Sequence, residues 1–542
     1  MKIKLLSVVA LATISFTTNA QNTFDDVRAL FIANCNTNGC HNSNNNAGNL
    51  DLSLSAAAIY NQLVNVAPTN PAAVTAGYKR VWPGDPHRSF LFRKCNQGLD
   101  PDMTLPQNEG AAMPKNLPAL AANERELIRQ WIMFGAPQTG VVVDTAVINT
   151  FYRGKGIVGN VVAPPPAPAG AFQVHLGRMF LPPVSETEYF IKYKLNLADT
   201  VKVNRVDLKM PTESHHFIIY KFLPGGAALF PEGLRLNSSG NYVSFTNAWQ
   251  QTYDLQLPPS TAYLYEKNAI LDLNFHFKNI NTDSVLAADV YFDVYTQSKN
   301  TPGEIMYSDL IANYVIPIPN DNLDHTFSQS DVDFAHNNWR NWNVWMLTSH
   351  THKYGKDFDI FLRNANGTDG QQIYEGFYDT DYIFNQGFYD WQHPPIKKFE
   401  NPFQVVNPWN GLIQRATFRN YGNAPVSFGL TTDDEMMLYY IQYTLGDGIT
   451  GLTEMDKKYS FKAFPNPFAD EFEINYSLEN EGKVSIELYT ILGEKVIGVV
   501  EENQSKGSHN YKLNTSQYSN GVYMLKVTVG DDLFVKRLLK AN

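Results

Sequence analysis

Three groups of side chains in this 542-residue chain could do chemistry. The first is Cys35-Asn36-Thr37-Asn38-Gly39-Cys40-His41. Two thiols can capture the two vinyl groups of a porphyrin, and a histidine beside the second thiol can ligate the iron. The usual spacing for this attachment is C-x-x-C-H; here four residues separate the cysteines. A sixth iron ligand would come from further along, with Met113 the first candidate and Met103 the second. A Met/His pair raises the haem potential. A Cys35–Cys40 disulfide beside an ordinary histidine is the plainer alternative.

The second group is imidazole: His215-His216, His276, and His350-Thr351-His352. On a strand, positions i and i+2 share a face, so His350 and His352 can chelate one ion. Adjacent histidines point to opposite faces, so His215 and His216 need a bend or a strand end to converge. His276 can supply a third nitrogen. Neutral imidazole suits copper, iron, nickel or zinc. The third group is a thioether, Met436, within Asp433-Asp434-Glu435-Met436-Met437-Leu438-Tyr439-Tyr440. It would shift the choice toward copper, because it holds the reduced ion well. Taken singly, each pattern also occurs as ordinary packing or surface histidines.

These residues need elements to position them. Residues 21–142 begin and end with helical patterns. Thr23 can cap a helix with Val27, Leu30 and Phe31 on its apolar face; Asn123 and Glu126 form a capping-box pattern before Leu127, Ile128, Trp131 and Ile132. Residues 143–170, with Ala163-Pro164-Pro165-Pro166-Ala167-Pro168, read as a stiff connector. Residues 171–450 are rich in Tyr, Phe, Val and Thr in short runs such as Phe217–Tyr220 and Ile270–Phe275, which predict strands. The stretch suits two β-sandwiches, 171–300 and 301–450. Residues 459–542 form a small β unit, with Val484–Tyr489 alternating strictly and Gly521–Val527 a second strand.

Lys2 and Lys4, the apolar run Leu5–Phe16 and Thr18-Asn19-Ala20 predict an export signal over 1–20, cleaved before Gln21. No later segment is long and apolar enough for a transmembrane anchor. With 44% hydrophobic and 18% charged residues the chain is neither disordered nor fibrous. The net charge of −10 and the lack of a basic run argue against nucleic acid as a partner. Its three cysteines all lie in the first hundred residues, so no disulfide framework supports the remainder; Cys95 reads as a small buried hydrophobe.

Three resemblances follow from these residues. The first segment is similar to bacterial cytochrome c domains of large exported proteins, through Trp82-Pro83-Gly84-Asp85-Pro86, Met113-Pro114 and Leu127–Ile132 with Gly135-Ala136-Pro137. This implies one covalent haem c held by Cys35, Cys40, His41 and Met113. Residues 171–445 resemble the copper type II, ascorbate-dependent monooxygenases, which include the peptidylglycine hydroxylating and dopamine β-monooxygenases. That family has two jelly-roll-like β-sandwiches, each with one copper. The resemblance implies an electron-transfer copper on His215, His216 and His276, and an oxygen-activating copper on His350, His352 and Met436. Ala416–Tyr421 looks like the family's strand before the methionine, and Tyr440 matches a substrate-side tyrosine. Thr348 stands where the peptide-amidating branch has an arginine that grips a substrate carboxylate, and the animal branch's disulfides are missing. The copper chemistry thus carries over better than the substrate. His325, His336 and His393 match nothing in the family and read as surface or outer-layer residues.

The tail resembles the C-terminal sorting domain of type IX secretion in Bacteroidetes-type bacteria, through Phe464-Pro465-Asn466-Pro467-Phe468, Leu488–Val496, Asn520–Tyr523 and Val535–Leu539. The expectation is a mainly β protein: a small α-helical cytochrome c-like domain, two jelly-roll-like sandwiches, then a small β-sandwich. It would be secreted or attached to the cell surface. It would hydroxylate an activated C–H bond with O2, using two copper ions, one haem c, and an external electron donor or ascorbate. The substrate is a small molecule or peptide, and the secretion machinery is a further partner. The alternative is a non-catalytic surface electron-transfer or copper-binding protein.

Overall fold

A computed structural model describes residues 22–159, 167, 170–249, 252–332, 340–377, 394–400, 402–407, 410–431, 433–448, 459–490, 493–530 and 532–541. The export signal, most of the proline run, His336 and His393 lie outside these residues. The chain is mainly β, with its helices gathered near the N-terminus.

The N-terminal segment carries helices α1 (Thr23–Asn34), α2 (Ala56–Leu63), α3 (Pro71–Thr75), α4 (Phe90–Cys95), α5 (Ala122–Met133) and α6 (Thr145–Thr150). Phe24, Val27 and Phe31 of α1 share a core with Ile128, Trp131 and Ile132 of α5. The Phe24 ring stacks on Trp131 with centroids 5.3 Å apart. Both helix starts differ in detail from the sequence signals. Asn22 holds the cap position of α1, and Thr23 is its first residue; the Thr23 hydroxyl accepts the Val142 N–H at 3.0 Å, tying the start of the segment to its end. In α5 the Glu124 carboxylate accepts the Ala121 N–H at 2.8 Å. The predicted cap residues are otherwise engaged: the Asn123 amide donates to Asn149, and Glu126 is buried against Arg129. A buried guanidinium needs a charged partner, and that need outweighs the local capping pattern.

The front of the stretch read as a connector is folded. Asp144 caps α6, a single π turn follows over Phe151–Lys155, and Gly156–Val158 pairs in parallel with Val285–Ser298.

Two large sheets build the centre. A five-stranded sheet runs in the order Leu234–Arg235, Ser185–Lys194, Ile270–Asn279, Ser214–Phe222, Val243–Trp249. An 11-stranded sheet runs Gly156–Val158, Val285–Ser298, Val201–Lys209, Thr261–Tyr265, Glu304–Ala312, Leu438–Gly448, Arg340–His350, Ile396–Lys398, with three further strands beside this path. Its continuity crosses from the 171–300 segment to the 301–450 segment, where Glu304 and Ile305 pair in parallel with Thr261 and Ala262. The Tyr263 hydroxyl donates to Gln442 at 2.8 Å, and both side chains bond the buried Asn247, which fastens the same boundary. Between the two sheets lie Phe217, Phe275, Phe277 and Phe292, each inaccessible to solvent. A four-stranded sheet, Asp324–Asp331, Leu412–Arg419, Gly355–Arg363, Asp369–Phe377, closes a second core around Trp342, Phe358, Phe418 and Tyr439.

The tail has a three-stranded and a four-stranded sheet enclosing its own core of Phe461, Phe472, Ile474, Ile486, Leu525 and Leu538. The alternating segment Val484–Tyr489 lies within the strand Gly482–Thr490.

Candidate metal centre and haem cavity

The five expected histidines meet in one place. Ser214–Phe222 pairs antiparallel with Ile270–Asn279, with His276 opposite His216 and Phe277 opposite Ser214. His215 is therefore the extra residue of a β-bulge. A bulge re-aims side chains locally, and here it brings two adjacent histidines toward one site instead of opposite faces. The ring centroids of His215 and His216 stand 4.8 and 5.1 Å from that of His276. His350 is the last residue of Arg340–His350, and His352 lies beyond the strand end. The turn is tight: a Cβ on Gly355 would meet the Thr351 hydroxyl at 2.2 Å. Their pairing thus comes from a strand end and a corner, not from two positions of one strand.

His215, His350 and His352 can offer nitrogens within 4.8 Å of one another, and so can His215, His216 and His276. His215 belongs to both sets. In place of the two separate sites implied by the family resemblance, the histidines form one contiguous centre with a shared member. The His350 strand end, in the 11-stranded sheet, stands against the bulge of the five-stranded sheet, with the His215 and His350 ring centroids 5.7 Å apart.

Neighbouring carbonyls and carboxylates set the tautomers. The His352 Nδ1 lies 3.1 Å from the Asp434 carbonyl. A carbonyl only accepts, so Nδ1 carries the proton and Nε2 keeps the lone pair. Asn274 donates its amide to Glu188, so its oxygen faces the His216 Nε2 at 2.9 Å and draws the proton there. The Glu186 carboxylate does the same for the His276 Nε2 at 2.9 Å. The His276 Nδ1 is then a buried lone pair with no hydrogen-bond partner. All five rings are at most 7% exposed. Burial, followed by mutual repulsion, lowers the pKa of His215, His276 and His350. Burial alone is the largest cause that brings His352 down to about 4. Converging buried imidazoles whose outer nitrogens are held by carboxylate, amide or backbone oxygens fit a late first-row metal ion.

Glu435 is the residue that the sequence signals missed. Fully buried, its carboxylate accepts the backbone N–H groups of His352 at 2.8 Å, Tyr354 at 2.6 Å and Met436 at 3.1 Å. Burial pushes its pKa up to about 8, against those three donors. Glu186, Glu188 and Asn274 were missed likewise; the only available signal was a Glu-x-Glu pair on a strand facing His276. Met436 follows Glu435 directly, with its side chain in a small apolar cluster with Leu438 and Tyr440. The Tyr440 ring centroid is 6.5 Å from that of His350, and the ring stacks on Phe245 at 5.2 Å. Thr348 pairs with Tyr440 across the sheet. His325 is at the surface against Asp321 at 2.9 Å.

The N-terminal segment encloses a cavity of about 330 Å³. Cys35, Cys40 and His41 line one side, with Met113, Leu50, Leu52, Phe31 and Leu63 also on its wall. Both cysteines are free thiols. The His41 Nδ1 lies 2.8 Å from the Ala47 carbonyl, which leaves Nε2 its lone pair. Met103 sits in the helical core and not on the cavity wall, so Met113 is the thioether placed to face a group bound there. Burial pushes the Cys35 thiol up to about 11 and the Cys95 thiol to about 12. Two thiols, an oriented imidazole and a thioether around an apolar cavity fit a covalently attached haem.

Residues 462–541 match the family model for a secretion system C-terminal sorting domain. The chain is therefore exported, to the cell surface or the medium, and the type IX secretion machinery is a partner. Among the described residues no helix is long and apolar enough to cross a membrane. No curated protein matches the chain. Solved structures with detectable similarity include an apo β-glucuronidase from Ruminococcus gnavus, 13% identical over 40% of this chain and 36% of that one, with a TM-score of 0.12. A β-glucuronidase from Lactobacillus rhamnosus is 11% identical over 44% and 45%, with a TM-score of 0.13. The chain spans less than half the length of these proteins.

Proposed function

We propose that this exported protein is a copper-dependent monooxygenase that receives electrons through its own c-type haem, its central part belonging with the ascorbate-dependent type II enzymes. The observation that carries the reading is the convergence of five buried imidazoles from two β-layers, with His215 common to both triads. Copper bound there supplies one-electron redox steps and the activation of O2 toward a C–H bond. Haem bound by Cys35, Cys40, His41 and Met113 supplies single electrons.

The chain's own residues hold and orient. Glu186 and the Glu188–Asn274 pair keep the outer nitrogens of His276 and His216 protonated, so that their inner nitrogens face the centre. The Asp434 carbonyl does this for His352. Glu435 fixes the corner that aims His350 and His352 together. Met436 is the proposed thioether ligand, and Tyr440, stacked on Phe245, a wall of the site. Thr348 gives no cation for a substrate carboxylate, so the substrate is a small molecule or a peptide bound by other contacts.

The near-complete burial of the five rings favours a second reading, in which the centre stores or relays electrons without hydroxylating a substrate. Metal analysis with a visible spectrum of the mature protein tests the cofactors: copper and one c-type haem per chain are expected. Oxygen consumption with ascorbate and a substrate panel then separates the readings. Turnover that persists unchanged in both His352→Ala and Met436→Ala would overturn the monooxygenase.

A further inference from the structure

A second histidine cluster stands where the helical segment meets the first β-layer, apart from the five-histidine centre. His87 Nε2 lies 3.1 Å from Asp100 Oδ2, and His175 Nδ1 lies 3.0 Å from Asp102 Oδ2 and 3.8 Å from Asp100 Oδ2. The nitrogens of both histidines and the Asp100 oxygen fall within 4.8 Å of one another. Asp100 and His175 are buried, with side chains 4% and 7% exposed, and His87 closes the outer edge at 37%.

The orientation of His175 is the telling feature. Its Nε2 is 3.1 Å from Asp289 Oδ1, and Asp289 is held in turn by Arg178 at 3.0 Å. This contact needs Gly177, because a Cβ there would stand 2.0 Å from that Asp289 oxygen and 2.3 Å from the His175 nitrogen. The Tyr291 ring stacks on the imidazole at 4.0 Å and 11°, fixing its plane. A carboxylate that takes the outer N–H of a histidine fixes the tautomer and leaves the inner lone pair for a metal. The inner atom, Nδ1, is buried and lies 3.0 Å from the Asp102 carboxylate, the nearest polar group on that side. It points into a space bordered by two carboxylates and a second imidazole. Two carboxylates brought together at a buried boundary need positive charge between them. Without a cation a protonated His175 supplies it, since hydrogen bonds to Asp102 and Asp289 outweigh burial and raise its pKa to about 9, and a metal ion at Nδ1 would take that proton's place.

We propose that His87, Asp100, Asp102 and His175 bind a structural divalent cation of the zinc class, which clips the helical segment to the first β-layer. Two imidazoles and two carboxylates are a donor set that zinc accepts in a closed four-coordinate site. The ligands come from both sides of the boundary: three lie before α5, and His175 lies on the strand Ala171–Leu181. The cation therefore contributes to the stability of the joined assembly and takes no part in redox steps.

The experiment uses the full mature chain with His215→Ala and His352→Ala, so that the five-histidine centre does not compete for zinc. After chelation and dialysis, zinc is titrated back with calorimetry and thermal unfolding as readouts. One zinc per chain is expected, with a raised unfolding midpoint. Adding His87→Ala, at the exposed edge where the fold tolerates it, is expected to weaken zinc binding about 100-fold. His87→Cys should restore binding and give the thiolate-to-metal absorption of a cobalt-substituted site. No zinc uptake in the parent, or uptake unchanged by His87→Ala, overturns the proposal.

Discussion

The carboxylate of Glu435 accepts the backbone N–H of His352 at 2.8 Å, so a fully buried acid holds the corner that carries two candidate metal ligands. Two further backbone donors share that carboxylate. Glu435→Ala leaves three buried N–H groups without an acceptor. Each such group costs ~1–3 kcal/mol, so a loss of about 3 kcal/mol or more in denaturant unfolding is expected. Copper competition titrations should show weaker binding as well. Unaltered copper affinity would mean that the corner holds its shape without the acid.

His215 belongs to both histidine triads, and His276 to one. His215→Ala should therefore remove more copper than His276→Ala. Copper per chain by mass spectrometry checks the ranking, and equal losses would contradict a shared ligand.

Cys40→Ala should abolish double thioether attachment, read as a changed mass of the haem peptide. Met113→Ala should leave attachment intact and lower the haem potential by on the order of 100 mV, since a Met/His pair raises it. Met103→Ala, in the core, should cost stability and leave the potential alone.

Asp331 sits at the end of a strand, 8% exposed, and burial raises its pKa to about 6. The folded state thus favours the protonated acid. Its favourable contribution is complete below the unfolded value of 3.8 and is lost as pH rises through about 6. Asp331→Asn removes the charge, so the variant should match the parent near pH 4 and exceed it by about 1–2 kcal/mol at pH 8. Unfolding curves at the two pH values decide this.

The tail packs around its own core. Deleting residues 459–542 should leave haem and copper content unchanged and strand the protein in the periplasm, as fractionation would reveal.

The mainly β class, the helical N-terminal segment and the histidine groups were legible because each leaves a local mark in the sequence: alternation, helical periodicity, or close spacing. The bulge at His215 was not, since it exists only in register against the strand of His276. The same holds for Glu435, two of whose three backbone partners lie some 80 residues away in sequence. His87 and His175 are single histidines without a motif, and only folding brings them together. The helix starts were misplaced by one or two residues because tertiary partners took the side chains that would otherwise cap.

The strand pair at Thr261 and Glu304 has a mechanical meaning. A sheet that runs unbroken through both halves, and is pinned by Asn247, Tyr263 and Gln442, works as a splint rather than a hinge. The placement of the two triads about their shared His215 is then set during folding. In the proposed oxidoreductase, transfer of an electron between metal ions bound in the two triads would not wait for one half to swing toward the other. Its rate should be indifferent to the viscosity of the surrounding medium.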